Sequence, residues 1–110
     1  MVNQATDTQP LYSSLGGDPD LGEIVDLFVE EMPDRIATLL HQAETSDWEN
    51  LRRTAHQLKG AAGSYGFDPI SPHAAKLEDA IRDGEPHQQI RCAVEELVEI
   101  CKRARGGTAE

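Results

Sequence analysis

A histidine followed closely by a lysine and several glycines is the segment of this sequence best suited to chemistry. The segment Ala55–Gly66 reads AHQLKGAAGSYG and contains His56, Lys59 and Gly60. A neutral imidazole is a nucleophile that can carry a phosphoryl group covalently. A lysine ammonium can contact phosphoryl oxygens as a mobile point charge. The spacing therefore indicates covalent phosphoryl chemistry on a helix.

The helical wheel predicts that His56 and Gly60 face solvent. His56 points away from the apolar stripe of its segment, and Gly60 lies almost opposite that stripe. An interior glycine costs a helix about 1 kcal/mol relative to alanine, so Gly60 indicates that another surface approaches the backbone closely. The segment 50–67 has three basic residues and no acidic one, which predicts local positive charge. Other predicted binding residues on this outer face are Arg53, Gln57, Gly63 and Ser64.

Four amphipathic segments are expected to position these residues. Apolar side chains recur at steps of three and four in each segment, as in helices with one buried face. Start signals for three of them are Asp18 with Pro19, a Ser46–Glu49 capping box, and Ser71 with Pro72. The apolar phase of the first helix, about 19–45, continues across Pro33. This predicts one long kinked helix, with two abutting helices as the alternative.

These segments predict an all-α fold, an antiparallel up-down four-helix bundle with a short N-terminal extension or helix. Residues 1–17 are expected to be a flexible segment or a short helix, residues 18–105 the bundle, and residues 106–110 a frayed tail. No stretch shows the alternation that is typical of a half-buried strand. Cys92 and Cys101 fall on opposite sides of the last helix and are expected to be reduced thiols.

Composition limits the possible partners. The chain has 20 acidic and 10 basic residues, a net charge of −10. This acidity disfavours nucleic acids and anionic membrane surfaces. No apolar run approaches the roughly 20 residues that span a bilayer, and the N-terminus lacks the features of a signal peptide. A cytoplasmic location is expected.

The motif resembles that of the histidine-containing phosphotransfer (HPt) domains. Their signature, His-x-Leu-Lys-Gly followed by small residues and a further glycine, matches His56, Leu58, Lys59, Gly60 and Gly66. The Leu-Glu pair of the family's next helix matches 77–78. The similarity covers about residues 18–104 and also implies a four-helix bundle that displays the histidine on a central helix.

The resemblance implies that His56 is the phosphoacceptor, that Lys59 stabilises the phosphoryl group, and that Gly60 clears space for a partner. Such a domain carries phosphoryl groups between aspartates of response-regulator receiver domains or a hybrid sensor kinase. It has no kinase or phosphatase activity and no cofactor of its own, since the receiver supplies Mg²⁺. A monomer is expected. A phosphorylation-independent helical adaptor is the alternative, and a metal-binding bundle is disfavoured because the other histidines are scattered.

Receiver docking is also expected to use an apolar patch on the first helix. Leu27 points away from the apolar stripe, and Ile24 lies at the edge of the stripe on the same side. Packing within the bundle does not explain an outward leucine, although one such residue is ordinary. The alternative is that the N-terminal residues Leu11, Tyr12 or Leu15 fold over Leu27.

Overall fold

The computed structural model describes residues 9–107. Four helices account for most of this range, as predicted, and two short strands flank them. In chain order the elements are β1 (Leu11–Tyr12), α1 (Gly22–Glu44), α2 (Trp48–Ser64), α3 (Ile70–Arg82), α4 (His87–Cys101) and β2 (Ala104–Arg105).

The four helices form a closed bundle in which each helix packs against two others. The helix α2 packs against α1 and α3, and α4 packs against α3 and α1. Sequence neighbours joined by short turns are therefore spatial neighbours, as in an up-down bundle. The core contains the apolar stripes that the sequence predicts, and its largest fully buried side chains include Phe28, Leu39, Leu51, Leu58, Phe67, Ile70, Leu77, Val94 and Leu97.

The first helix is continuous and contains Pro33, so the alternative of two abutting helices is wrong. It begins at Gly22, three residues after the predicted start. The Asp18 carboxylate accepts hydrogen bonds from the backbone N–H groups of Asp20 and Leu21 at 2.7 and 3.2 Å. Asp18 therefore organises a turn that leads into the helix.

The predicted start signals of α2 and α3 are wrong. Asp47 precedes α2, while Ser46 has a φ of 56° and makes no side-chain cap. The helix α3 begins at Ile70, so Ser71 lies inside its first turn. The Ser71 hydroxyl donates to the backbone carbonyl of Lys59 at 2.9 Å. It therefore ties α3 to the helix that carries the motif.

Residues 11–12 form a strand where the sequence predicts a flexible segment or a short helix. The strand β1 pairs in parallel with β2, and Leu11 N donates to the Arg103 carbonyl at 2.6 Å. Ser14 N donates to the Gly66 carbonyl at 2.9 Å. The hydroxyl of Ser13 donates to the Tyr65 carbonyl. These contacts fasten residues 11–14 both to the C-terminal strand and to the C-terminal end of α2.

Gly66 terminates α2 in the left-handed conformation that the sequence predicts, with a φ of 81°. Phe67 N donates to the Ala62 carbonyl at 2.8 Å, and Gly66 N donates to the Gly63 carbonyl at 3.3 Å, which is the Schellman pattern. A Cβ at residue 66 would lie 2.8 Å from Ser14 Oγ and 3.0 Å from Leu15 Cγ. Both the backbone and the packing of the N-terminal segment therefore require glycine.

We predict that Gly66→Ala destabilises the fold more than Gly84→Ala does. Gly84 has a φ of 70°, but no atom lies within 4 Å of a Cβ built there. Gly84→Ala should therefore cost roughly 1 kcal/mol of backbone strain. Gly66→Ala should cost about 1 kcal/mol more, because its neighbours must move. Urea denaturation of both variants measures the difference, and equal losses would show that the N-terminal segment does not pack tightly on Gly66.

Candidate functional site

The carboxylate of Glu78 on α3 joins the two motif side chains of α2. His56 Nδ1 lies 2.9 Å from Glu78 Oε2, and Lys59 Nζ donates to Glu78 Oε1 at 2.7 Å. The His56 side chain is 64% exposed, whereas that of Glu78 is 13% exposed. The largely buried Glu78 carboxylate thus orients the exposed His56 ring through a hydrogen bond on its inner side.

The antiparallel register of α2 and α3 brings these residues to the same level. His56 lies eleven residues before Phe67 (67 − 56) and Glu78 lies eleven residues after it (78 − 67). Because the turn between the helices is centred near Phe67, equal distances along the chain place the two residues opposite each other. The Ser71 bond to the Lys59 carbonyl fastens the same pair of helices.

Glu78 is held as an anion and fixes the tautomer of His56. The hydrogen bond from Lys59 lowers the pKa of Glu78 below its ordinary value of 4.5, with a further contribution from His56 and against the effect of desolvation. An ionised carboxylate only accepts hydrogen bonds. The proton therefore lies on Nδ1 of His56, and the lone pair of the neutral ring lies on Nε2.

The local charge differs from the positive patch that the sequence of α2 predicts. Glu78 enters from α3, and its carboxylate offsets the charge of Lys59. The basic side chains that remain beside His56 are Arg52 and Arg53. Together with His56 and Glu78 they line an open cleft of about 280 Å³. Arg53 donates to the Asn50 side chain at 3.2 Å.

The surface at Gly60 and Gly63, which the sequence predicts to lie on the outer face of α2, is open. No atom lies within 4 Å of a Cβ built at Gly60, and a Cβ at Gly63 would meet only Ser71 Oγ at 3.5 Å. Arg53, Gln57 and Ser64 are also exposed on α2. The surface beside His56 therefore has no large side chains from residues 9–107 over the two glycines and is open to solvent, as the helical wheel predicts.

The two apolar residues predicted for docking are exposed on α1. Ile24 is 41% exposed and Leu27 is 56% exposed, so Leu11, Tyr12 and Leu15 do not cover Leu27. They lie on the part of α1 that is level with the C-terminal end of α2, because the neighbouring Phe28 ring packs 5.2 Å from the Tyr65 ring. Leu40, which is 45% exposed near the other end of α1, was not predicted.

Metal and thiol chemistry receive no support from the described part of the chain. Within residues 9–107, no cluster of three or more histidine, cysteine or acidic side chains could hold a metal ion. Both cysteines are free, with Cys92 exposed and Cys101 buried. Burial raises the pKa of Cys101 to about 12, which leaves it a protonated core thiol. Over the same residues, no helix is long and apolar enough to cross a membrane.

Comparison with known proteins identifies the family. A family model described as Hpt domain matches residues 23–106, which include all four helices except the first residue of α1. The chain belongs to the Hpt domain family, whose members are histidine-containing carriers in phosphorelays, and this confirms the resemblance of the motif.

The chain is also similar in sequence to a curated protein. The chain is 36% identical over 75 residues to a protein named Phosphotransferase RcsD from Escherichia coli (strain K12). The match covers 64% of this chain but only 8% of that relative, so the chain corresponds to a small part of it. No solved structure matches the chain significantly.

Glu78 is a site residue that was not predicted from the sequence. It entered only as part of the Leu-Glu pair of the resemblance, although positions 56 and 78 lie at equal distances from the turn. The contact between Glu78 and His56 also depends on where α3 begins. The helix begins at Ile70, before the predicted cap at Ser71.

We predict that Glu78→Gln loses stability at neutral pH and that this loss shrinks in acid. The native pKa of Glu78 lies below its unfolded value, so its contribution to stability is present above about pH 4.5 and is lost as the pH falls through the native value. Urea denaturation of wild type and variant from pH 7 to pH 3 measures this. The control is Glu95→Gln, because Glu95 is exposed on α4 and has no ion pair among residues 9–107. A difference that stays constant into acid would show that the bridge does not stabilise the fold.

Proposed function

We propose that this protein carries a phosphoryl group on Nε2 of His56 between receiver-domain aspartates in a multistep phosphorelay. The observation that supports this most directly is the hydrogen bond from His56 to Glu78. It occupies Nδ1 and leaves the lone pair of an exposed ring on Nε2. Membership of the Hpt domain family supports the reaction class.

The proposed transfer exchanges one bond to phosphorus for another. The Nε2 lone pair forms an N–P bond while the P–O bond of the aspartyl phosphate breaks and leaves a carboxylate. The proton on Nδ1 stays in place, so the ring becomes positively charged. Glu78 stabilises this charge, and Lys59 keeps Glu78 ionised and oriented. Through that contact Lys59 contributes to stabilising the phosphorylated state.

The partner supplies the remaining chemistry. Phosphoryl transfer depends mainly on positioning and on neutralising charge in a loose in-line transition state. A receiver or hybrid sensor kinase provides the acidic pocket and Mg²⁺, while this chain provides the imidazole and has no kinase or phosphatase activity of its own. We further propose that the protein acts as a cytoplasmic monomer. The open surface at Gly60 and Gly63 admits the rim of the receiver's active site.

We predict that His56→Gln abolishes phosphorylation by a phosphorylated receiver. The residue is exposed but gives up a hydrogen bond to Glu78, so the free energy of unfolding should fall by only about 1 kcal/mol and the variant should stay folded. The phosphoryl group transferred to the wild-type protein should be labile in acid and stable in base. His41→Gln is the control, since His41 is an exposed histidine on α1, outside the motif. A folded His56→Gln variant that still accepts phosphate would contradict the proposal, and a wild-type protein that binds a phosphorylated receiver without becoming phosphorylated would favour the adaptor.

Docking on α1 gives an independent prediction. Leu27→Asp should raise the Kd for a receiver about tenfold or more, because it places a charge in an apolar contact. Its melting temperature should change little, since Leu27 is 56% exposed. Leu40→Asp makes the same change near the other end of α1 and should leave the Kd unchanged. Calorimetric titration of both variants measures the effect, and equal affinities would remove Leu27 from the docking surface.

A further inference from the structure

We propose that Arg52 is the side chain that contacts the phosphoryl oxygens on His56, an inference that rests on the proposed phosphoryl transfer. Arg52 lies four residues before His56, one helical turn away on the same face of α2. Both side chains line the 280 Å³ cleft that Glu78 closes from α3. The guanidinium therefore borders the space in which a phosphoryl group on Nε2 would lie.

The cationic side chains beside His56 differ in whether they already form a hydrogen bond or an ion pair. Lys59 Nζ lies 2.7 Å from Glu78, and Arg53 donates to Asn50. Arg52 is exposed and forms no hydrogen bond or ion pair with any residue from 9 to 107. Arg52 is thus the cationic side chain of the cleft that can bind an anion without breaking an existing contact.

The charge balance of the phosphorylated site also calls for such a cation. A phosphoryl group adds about −1.5 to −2 charges, and it would lie beside a carboxylate that is already ionised. Glu78 is balanced by Lys59 and by the ring, which leaves the phosphoryl oxygens without a counter-charge from either residue. A guanidinium suits them because its planar N–H groups pair with two phosphate oxygens at once.

Arg52 forms no covalent bond in this scheme. It donates hydrogen bonds to the phosphoryl oxygens during transfer and in the phosphorylated product. It should therefore act with any phosphoryl donor, including one too small to dock. This separates a phosphoryl contact from a contact with the receiver surface, which would matter only for receiver-mediated transfer.

The test is phosphorylation of the full chain by phosphoramidate, a small phosphoryl donor, followed by ³¹P NMR. Arg52→Gln should slow the formation of phosphohistidine roughly tenfold, less than the 10²–10³ that a buried oxyanion donor provides. It should also shorten the lifetime of phosphohistidine, and Arg52→Lys should restore part of both. Lys102→Gln, which removes the same charge from the exposed C-terminal end of α4, should have no effect.

The outcomes separate this inference from the proposed function. Wild-type rate and lifetime in Arg52→Gln would overturn the role of Arg52 and leave His56 as the carrier. A loss confined to receiver-mediated transfer would also overturn it, because Arg52 would then contact the partner instead of the phosphoryl group. A wild-type protein that no donor phosphorylates on His56 would overturn both proposals.

Discussion

The bridge from Glu78 to His56 and Lys59 is the interaction on which the site depends. It crosses from α3 to α2, so it forms only when the two helices pack in one register. It also sets the chemistry, since an ionised acceptor at Nδ1 determines which ring nitrogen is available. The core packing that aligns the helices therefore positions the His56 ring through a single carboxylate.

The rest of the fold maintains that register. The turn between α2 and α3 is closed by the left-handed Gly66, and the buried Phe67 follows it at once. The N-terminal segment packs on this turn through Ser13 and Ser14, and β1 joins it to the C-terminal strand. Residues distant from His56 in the sequence thus fix the position of the helix pair that carries it, whereas the outer face beside His56 stays exposed.

The sequence predicts the helices and their buried faces well because each apolar stripe follows the helical period. It also predicts the exposure of His56, Gly60 and Leu27, which depends on the same period. It fails where the outcome depends on tertiary contacts. The serines at 46 and 71 look like helix caps, yet Ser46 adopts a left-handed conformation and Ser71 bonds to a neighbouring helix. The β1–β2 pairing joins segments more than ninety residues apart, and no local pattern encodes it. The positive charge predicted beside His56 rests on the sequence of α2 alone, and it does not include the Glu78 carboxylate that α3 contributes.

The proposed mechanism depends on two properties of His56: its Nδ1–H donates a hydrogen bond to the ionised Glu78, and its Nε2 carries the phosphoryl group. Heteronuclear NMR of protein labelled with ¹⁵N in its histidine rings tests this directly, before and after phosphorylation. The unphosphorylated ring should carry its proton on Nδ1, and after phosphorylation a one-bond ¹⁵N–³¹P coupling should appear at Nε2 of His56. A proton on Nε2 in the starting protein, or a coupling at Nδ1 or on another histidine, would contradict the account.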